Sequence, residues 1–233
     1  MPDLASAFVY YVVFLFSTTL HEAGHAWAAK LGGDLTAYHG GQVSLDPRPH
    51  IRREPFGMVV LPLLTVVTSG WPMGFASAPY DPMWALRHPK RAGWMALAGP
   101  GANFLLVALA WMAMHAGMLM GVFDAPERIG FEHLVSTIDG PWRGLGFFLS
   151  VLYSMNVLLG TFNLIPLPPL DGSAAIPVLL PADTAAGYQR FILQNGQTFA
   201  MIGMLAAWRV FDFLYSPIFM IAIQVLHPGH RYG

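Results

Sequence analysis

Three residues near the start of the chain, His21, Glu22 and His25, combine the side chains and the spacing of a metal-dependent hydrolase. Residues four apart lie on one face of a helix, so both histidines can bind a single Zn²⁺ ion. Glu22 directly follows the first histidine and can accept a proton from a water molecule that the ion activates. The pattern therefore predicts zinc-dependent hydrolysis with Glu22 as the general base.

This pattern stands at the end of a long apolar segment, because residues 4–20 carry no charged side chain. Burying a charged group in the hydrocarbon of a bilayer costs roughly 2.5 to 3.5 kcal/mol, so ionisable residues at that depth usually have a function. The segment has no basic region before it and ends in His-Glu-Ala-Gly-His instead of a small-residue cleavage site. We therefore expect it to remain in the mature protein and not to be removed as a signal peptide.

The composition is typical of a polytopic membrane protein in a lipid bilayer. Of the 233 residues, 55% are hydrophobic and 11% are charged, and the mean hydropathy is +0.50. The formal net charge of −1 provides no basic surface, which excludes nucleic acid as the expected partner. The sequence contains no cysteine, so the ligands of any metal must be histidines and carboxylates.

We predict an all-α polytopic membrane protein with about five to six transmembrane or re-entrant helices and a small membrane-associated β-hairpin. A single domain is expected over residues 1–233, with a catalytic core at about 5–180 and C-terminal helices at about 184–226. A bilayer crossing needs about 20 apolar residues, and three runs qualify: Leu4–Leu31, Ala92–Phe123 and Gly144–Ile165.

A fourth apolar run lies within Thr198–Leu226, where Arg209, Asp212 and Pro217 interrupt it. This run can form one long span with an internal ion pair between Arg209 and Asp212. Alternatively, a span at about residues 188–208 is followed by a turn and a second, shorter helix. We favour the second arrangement.

The apolar segment Phe56–Gly70 has only 15 residues and contains Pro62, which suits a re-entrant segment better than a full crossing. The seven cations between Lys30 and Arg91 flank this segment on both sides, whereas residues 1–20 contain no Lys or Arg. The positive-inside rule then places residues 30–91 in the cytoplasm, and the N-terminus and Asp124–Arg143 outside.

This orientation predicts the depth of the metal site. At the rise of an α-helix, His21 and His25 lie roughly 22 to 29 Å from the outer boundary of a hydrocarbon core about 30 Å thick. We therefore expect an integral protein of the cell (plasma or inner) membrane, with its active site near the cytoplasmic face.

A second motif, Asn163-Leu-Ile-Pro-Leu-Pro-Pro-Leu-Asp171-Gly172, closes the third long apolar run. A hydrolytic zinc needs three protein ligands and an open position for water, and Asp171 is the carboxylate best placed to complete the set. The prolines are expected to unwind the end of the helix, which is tolerated at membrane depth only beside a cavity within the protein. Asn163 would place an amide beside that cavity.

The two motifs together resemble the site-2 protease family of intramembrane zinc metalloproteases. Ala98-Gly99-Pro100-Gly101-Ala102-Asn103 resembles the Gly-Pro-x-x-Asn segment of that family. The resemblance implies one Zn²⁺ per chain, general acid and base chemistry at Glu22, and substrate binding at Asn163, with Asn103 as a further candidate. The implied zinc ligands are His21, His25 and Asp171.

The family resemblance also implies a reaction and its partners. Members of this family cut transmembrane segments of other proteins, usually after a first, site-1 protease has removed an extracytoplasmic portion. Such cleavage releases cytosolic regulators or clears remnants of signal peptides. No insertion in this sequence is long enough for a PDZ domain, so the chain resembles a minimal form of the family.

The segment Thr36–Leu45 is compatible with a β-hairpin around Gly40-Gly41 or with an irregular polar loop. A helical substrate must be locally unwound before its carbonyls can react, and a hairpin here would offer an edge strand for β-addition. Proline at Gln42 or Val43 would then slow cleavage.

Two other functions remain as alternatives, a metal transporter and a catalytically silent zinc-binding scaffold. A transporter would not require a glutamate beside the first histidine and usually has several metal-binding clusters along its path. A silent scaffold would typically have lost Glu22 or a ligand. The presence of all four residues favours an active protease.

Overall fold

The computed structural model describes residues 3–137, 140–230 and 232, apart from the side chains of Gln197 and Asp212. Within this part of the chain, three single helices are long and apolar enough to cross a bilayer. They confirm the three predicted spans to within a few residues, and they are α1 (Leu4–Gly32), α6 (Pro89–Leu119) and α7 (Trp142–Asn163).

Helix α6 packs against both α1 and α7 and so forms the centre of the molecule. Small residues allow this contact: a side chain at Gly24 of α1 would meet the backbone carbonyl of Ala98 in α6. Gly33 ends α1 in the left-handed conformation, with φ of 97°.

The C-terminal region forms one long helix, α9 (Ala182–Leu226), instead of two helices joined by a turn. It bends by 50° between Thr198–Phe211 and Phe213–Leu226, which together are apolar enough for a fourth span. Pro217 explains the bend, because its ring clashes with the carbonyl of residue 213 and cannot donate a hydrogen bond to it. The predicted ion pair between Arg209 and Asp212 lies outside the described residues.

The segment predicted to be re-entrant forms a hairpin that consists of a helix and a returning segment. A π-helical turn (Phe56–Val60) continues into α4 (Leu61–Ser69), and residues 72–80 then return without regular secondary structure. The tip of this hairpin reaches the N-terminal half of α1, where the ring of Trp71 lies 5.4 Å from that of Tyr10.

Both ends of this hairpin lie at the C-terminal end of α1. Ser77 Oγ donates a hydrogen bond to Glu54 at 2.7 Å, which joins the outgoing and returning arms. Asp34, just after α1, accepts a hydrogen bond from the backbone N–H of Asp81 at 2.8 Å. The chain therefore returns to the end from which it left, as a re-entrant segment requires.

The β-hairpin predicted at Thr36–Leu45 is wrong, because α2 (Thr36–His39) is a single helical turn. Asp34 accepts hydrogen bonds from the N–H and the hydroxyl of Thr36, at 2.9 and 2.6 Å, and so starts the turn. Gly41 reverses the chain with φ of 74°.

The small antiparallel sheet of the predicted fold class is present elsewhere. It pairs β1 (Phe123–Asp124) with β2 (Ser136–Thr137) in the connection between α6 and α7.

The remaining short helices are α3 (Pro47–Arg53), α5 (Pro82–Arg87) and α8 (Asp171–Ala175), and the last continues into a 3₁₀ turn (Ile176–Val178). Between Asn163 and Asp171 the chain is not helical, which confirms that the prolines unwind the end of α7. This unwound stretch positions Asp171 against α1.

Candidate metal centre

The three predicted zinc ligands lie together. His21 and His25 are one turn apart on α1, and Asp171 is the first residue of α8. Asp171 Oδ2 lies 3.0 Å from His21 Nε2 and 3.3 Å from His25 Nε2, and the two Nε2 atoms are 3.0 Å apart. Among the described residues, this is the one group of three or more such side chains whose ligand atoms all lie within 4.8 Å of one another.

Hydrogen bonds at the far side of each imidazole ring orient the histidines. His21 Nδ1 is 2.6 Å from Asn103 Oδ1, and His25 Nδ1 is 2.8 Å from the backbone carbonyl of Met95. A carbonyl oxygen can only accept, so both Nδ1 atoms carry the proton. Both Nε2 atoms therefore present lone pairs toward each other and toward Asp171.

This convergence of lone pairs fits a cation. Asp171 Oδ2 is buried and has no hydrogen-bond partner among the described residues, although two histidine nitrogens face it. Three electron-pair donors this close repel one another unless a positive ion lies among them. Two ligands about 2.1 Å from a tetrahedral zinc lie about 3.4 Å apart, close to the separations in this site. Two imidazoles and one carboxylate also suit Zn²⁺ chemically.

Glu22 faces the same cavity as the three ligands. Its side chain is buried, and Oε2 has no hydrogen-bond partner among the described residues. A buried carboxylate oxygen without a partner is costly unless it has a function, and accepting a proton from water is such a function. The structure thus places all four predicted residues of the metal site around one cavity.

Gly99 has no side chain, and the two histidine rings occupy the space where one would lie. A Cβ atom at this position would overlap His25 Nε2 and lie 2.6 Å from His21 Nε2. Asn103 follows one turn later on α6 and accepts the hydrogen bond from His21. The Gly-Pro-x-x-Asn segment of α6 therefore packs against both histidines of α1 and orients one of them by a hydrogen bond.

This finding changes the interpretation of Asn103, which the sequence suggested as a substrate-binding residue. Its side chain is fully buried behind His21 and does not line the cavity. The spacing of four between Gly99 and Asn103 puts both on one face of α6, a signal that could have indicated a shared contact. Met95, whose carbonyl orients His25, carries no such signal, because a backbone group has no signature in the sequence.

The cavity beside the metal site has a volume of about 750 Å³. Asn163 lies in its wall, as the sequence predicted, and donates one amide hydrogen to the carbonyl of Leu159 at 3.1 Å. Residues 74–78, which have no regular secondary structure, form another part of the wall. Large apolar side chains complete it, among them Phe14, Met95, Phe162 and Met204. Such a cavity can hold an apolar peptide beside the ligands.

Comparison with known proteins agrees with this geometry. The family described as "Peptidase family M50" matches residues 9–203. The chain is 31% identical to "Putative zinc metalloprotease YwhC" of Bacillus subtilis, over 75% of this chain and 70% of that protein. It is 30% identical to "Putative zinc metalloprotease Rip2" of Mycobacterium tuberculosis, over 88% of this chain and 69% of that protein. No solved structure matches it. The chain belongs to peptidase family M50, the site-2 protease family of zinc metalloproteases.

Proposed function

We propose that this protein is an intramembrane zinc endopeptidase that hydrolyses peptide bonds within or beside transmembrane segments of other membrane proteins. The observation that carries the proposal is the cluster of His21, His25 and Asp171 beside the unpartnered carboxylate of Glu22, in a cavity with apolar walls. This cavity lies among helices that are long enough to cross a bilayer.

Each residue of the site has a separate role in the proposed reaction. One Zn²⁺ held by the three ligands would polarise the scissile carbonyl and lower the pKa of water to about 7. Glu22 accepts the proton of the water whose oxygen attacks the carbonyl carbon. When the C–N bond breaks, Glu22 returns that proton to the leaving amine. Asn163, in the cavity wall, donates its second amide hydrogen to the substrate backbone.

The substrate must be extended where it is cut, because a helix uses its carbonyls in its own hydrogen bonds. With Thr36–His39 helical, the edge strand proposed at Thr36–Leu45 does not form. Residues 74–78 are the candidate that replaces it, since they contain no helix, turn or bend and line the cavity.

We propose that this segment acts as a strand, one edge of which is bonded to the protein. The Phe75 N–H donates to the Gly57 carbonyl at 3.1 Å, and the Ser77 carbonyl accepts from Gln42 at 3.3 Å. Alternate residues of a strand face opposite edges, so Ala76 presents its backbone groups to the other side. We propose that the substrate pairs with that free edge.

The substitution Glu22→Gln tests the function. The amide cannot accept a proton from water, so this variant should retain one zinc per chain but lose several orders of magnitude in cleavage rate. The measurements are metal analysis of purified protein and cleavage of a model transmembrane substrate in proteoliposomes. Glu127→Gln is the matched control, because Glu127 is exposed in the connection between β1 and β2.

Two results would contradict the proposal. Substantial cleavage by Glu22→Gln would exclude the assigned proton transfer. Zinc uptake into proteoliposomes that is unaffected by Glu22→Gln, without cleavage by the wild type, would indicate a transporter. The described residues contain one metal-binding cluster and not the several expected along a transport path, which supports the protease.

A further inference from the structure

A series of buried, hydrogen-bonded side chains leads from His21 into the centre of the helix bundle. Asn103 on α6 accepts a hydrogen bond from His21 Nδ1 at 2.6 Å and donates one through Nδ2 to Asn156 Oδ1 on α7 at 2.8 Å. Asn156 in turn donates through Nδ2 to Ser17 Oγ on α1 at 2.8 Å. Asn103, Asn156 and Ser17 are fully buried. This series therefore connects the three central helices without contact with solvent.

A single backbone carbonyl determines which group donates and which accepts in every hydrogen bond of this series of side chains. Asn156 Nδ2 also lies 2.8 Å from the carbonyl of Leu152, and this oxygen can only accept. The amide of Asn156 must therefore turn its nitrogen toward Leu152 and its oxygen toward Asn103. Asn103 must therefore direct its own nitrogen toward Asn156 Oδ1, which leaves Asn103 Oδ1 as the acceptor of the hydrogen bond from His21.

The consequence for His21 is a fixed tautomer. Because Asn103 Oδ1 accepts, His21 Nδ1 carries the proton and Nε2 keeps the lone pair that a metal needs. If the amide of Asn103 were flipped, its N–H would face Nδ1 and favour the tautomer with the proton on Nε2. That proton would point at His25 and Asp171 and would oppose metal binding.

We propose that Asn156 is a positioning residue for the zinc site: it fixes the orientation of Asn103, and through it the tautomer of His21, although it contacts neither the metal nor the cavity. This inference rests on the proposed role of His21 as a zinc ligand. Ser17 has the same role in a weaker form, because Leu152 still holds the amide of Asn156 when the hydroxyl is removed.

The test measures zinc affinity by competition with a chelator, independently of proteolysis. Asn156→Leu has a similar volume and removes both amide groups, so Asn103 is free to flip. The loss of such a partner behind a metal ligand typically weakens metal binding about 10- to 100-fold, and we expect a loss of that size. Ser154→Ala is the matched control, because Ser154 is buried on the same helix and its hydroxyl has no partner among the described residues.

A second variant separates this role from a general packing defect. In Asn103→Asp, both carboxylate oxygens accept, so His21 is held in the correct tautomer whatever the state of residue 156. Adding Asn156→Leu to Asn103→Asp should then change zinc affinity by less than about 3-fold. If Asn156→Leu is not recovered in folded form, Asn156→Ala replaces it in both backgrounds.

The outcomes are distinct. Wild-type zinc affinity in Asn156→Leu, with zinc lost in His21→Ala, would overturn this inference and leave the proposed function intact. An equal loss of affinity in both backgrounds would mean that Asn156 acts through packing alone and would also overturn it. Retention of full zinc affinity by His21→Ala would contradict the proposed function itself.

Discussion

At the scale of single residues, the metal centre depends on a position that has no room for a side chain. In Gly99→Ala, the added methyl group would overlap the histidine nitrogens that face Asp171, and the backbone of α6 cannot easily move away. We expect zinc content to fall below about a tenth of the wild-type value while helix content is retained.

Metal analysis and circular dichroism of the purified Gly99→Ala protein check this prediction. Gly101→Ala is the control two residues away on the same helix, where no atom lies within 4 Å of an added Cβ. Because alanine favours helices over glycine, the control should keep its zinc and its stability. Full zinc occupancy in Gly99→Ala would mean that the rings can move aside.

The side chains that meet at the candidate metal site could be predicted from sequence, but those that orient them could not. His21, Glu22 and His25 form a local pattern, and Asp171 follows from the need for a third ligand in a chain without cysteine. The role of Asn103 depends on how α6 is rotated against α1, which only packing determines. A polar residue in an apolar helix indicates that a hydrogen-bond partner exists on another helix, but the sequence does not say which residue that partner is.

At the scale of secondary-structure elements, the extended part of the hairpin should control access of the substrate to the metal. Proline at Ala76 removes the N–H that faces the free edge of the strand, while the bonds of Phe75 and Ser77 to the protein remain. We expect Ala76→Pro to slow cleavage at least about 10-fold with zinc content unchanged.

Cleavage of one transmembrane substrate by Ala76→Pro and by Ala76→Ser measures this effect, since serine keeps the backbone N–H. A substrate with glycine or proline near the scissile bond should be cut faster than its fully helical form, because less unwinding is needed. Equal rates for Ala76→Pro and Ala76→Ser would place substrate pairing elsewhere.

The segment Thr36–Leu45, which the sequence placed wrongly, shows what a local pattern leaves out. The glycine pair at Gly40 and Gly41 suits a hairpin turn, but the residues that precede the pair form a helical turn, whose first residue, Thr36, donates two hydrogen bonds to Asp34. Gln42, the proposed edge residue, is buried and bonds to Ser77, which is distant in sequence. The long apolar helices were predicted well, because their signal extends over about 20 residues.

At the scale of the whole molecule, the arrangement of the hairpin predicts how the protein lies in the membrane. Its two ends meet at the C-terminal end of α1, and its tip contacts the β1–β2 connection, where Trp71 lies 4.6 Å from Phe131. We propose that the C-terminal end of α1 faces the cytoplasm and the β1–β2 connection faces outside, following the distribution of cations.

The chain contains no cysteine, so single cysteines can report this topology. Met83 and Glu127 are exposed at the two opposite ends of the molecule. With a membrane-impermeant thiol reagent on intact cells, Glu127→Cys should be labelled and Met83→Cys should be labelled only after lysis. The reverse pattern would overturn the orientation.

If Asp171 binds zinc as proposed, the ion also contributes to the stability of the fold. His25 and Asp171 belong to α1 and α8, so an ion bound between them closes a loop that contains α2 to α7. Because the ligands come together only in the folded chain, the ion binds the folded state and not the unfolded one, and zinc at about 100 times its Kd would add about 2.7 kcal/mol to the free energy of unfolding.

Removal of zinc by a chelator should therefore lower the Tm of the wild-type protein and leave that of Asp171→Ala unchanged. Scanning calorimetry in detergent measures the difference, and coincident Tm values for the wild type with and without chelator would show that the ion does not tie these segments together. In the cell, the same linkage would make the lifetime of the protein depend on the supply of zinc, because copies without zinc would open more often to quality-control proteases.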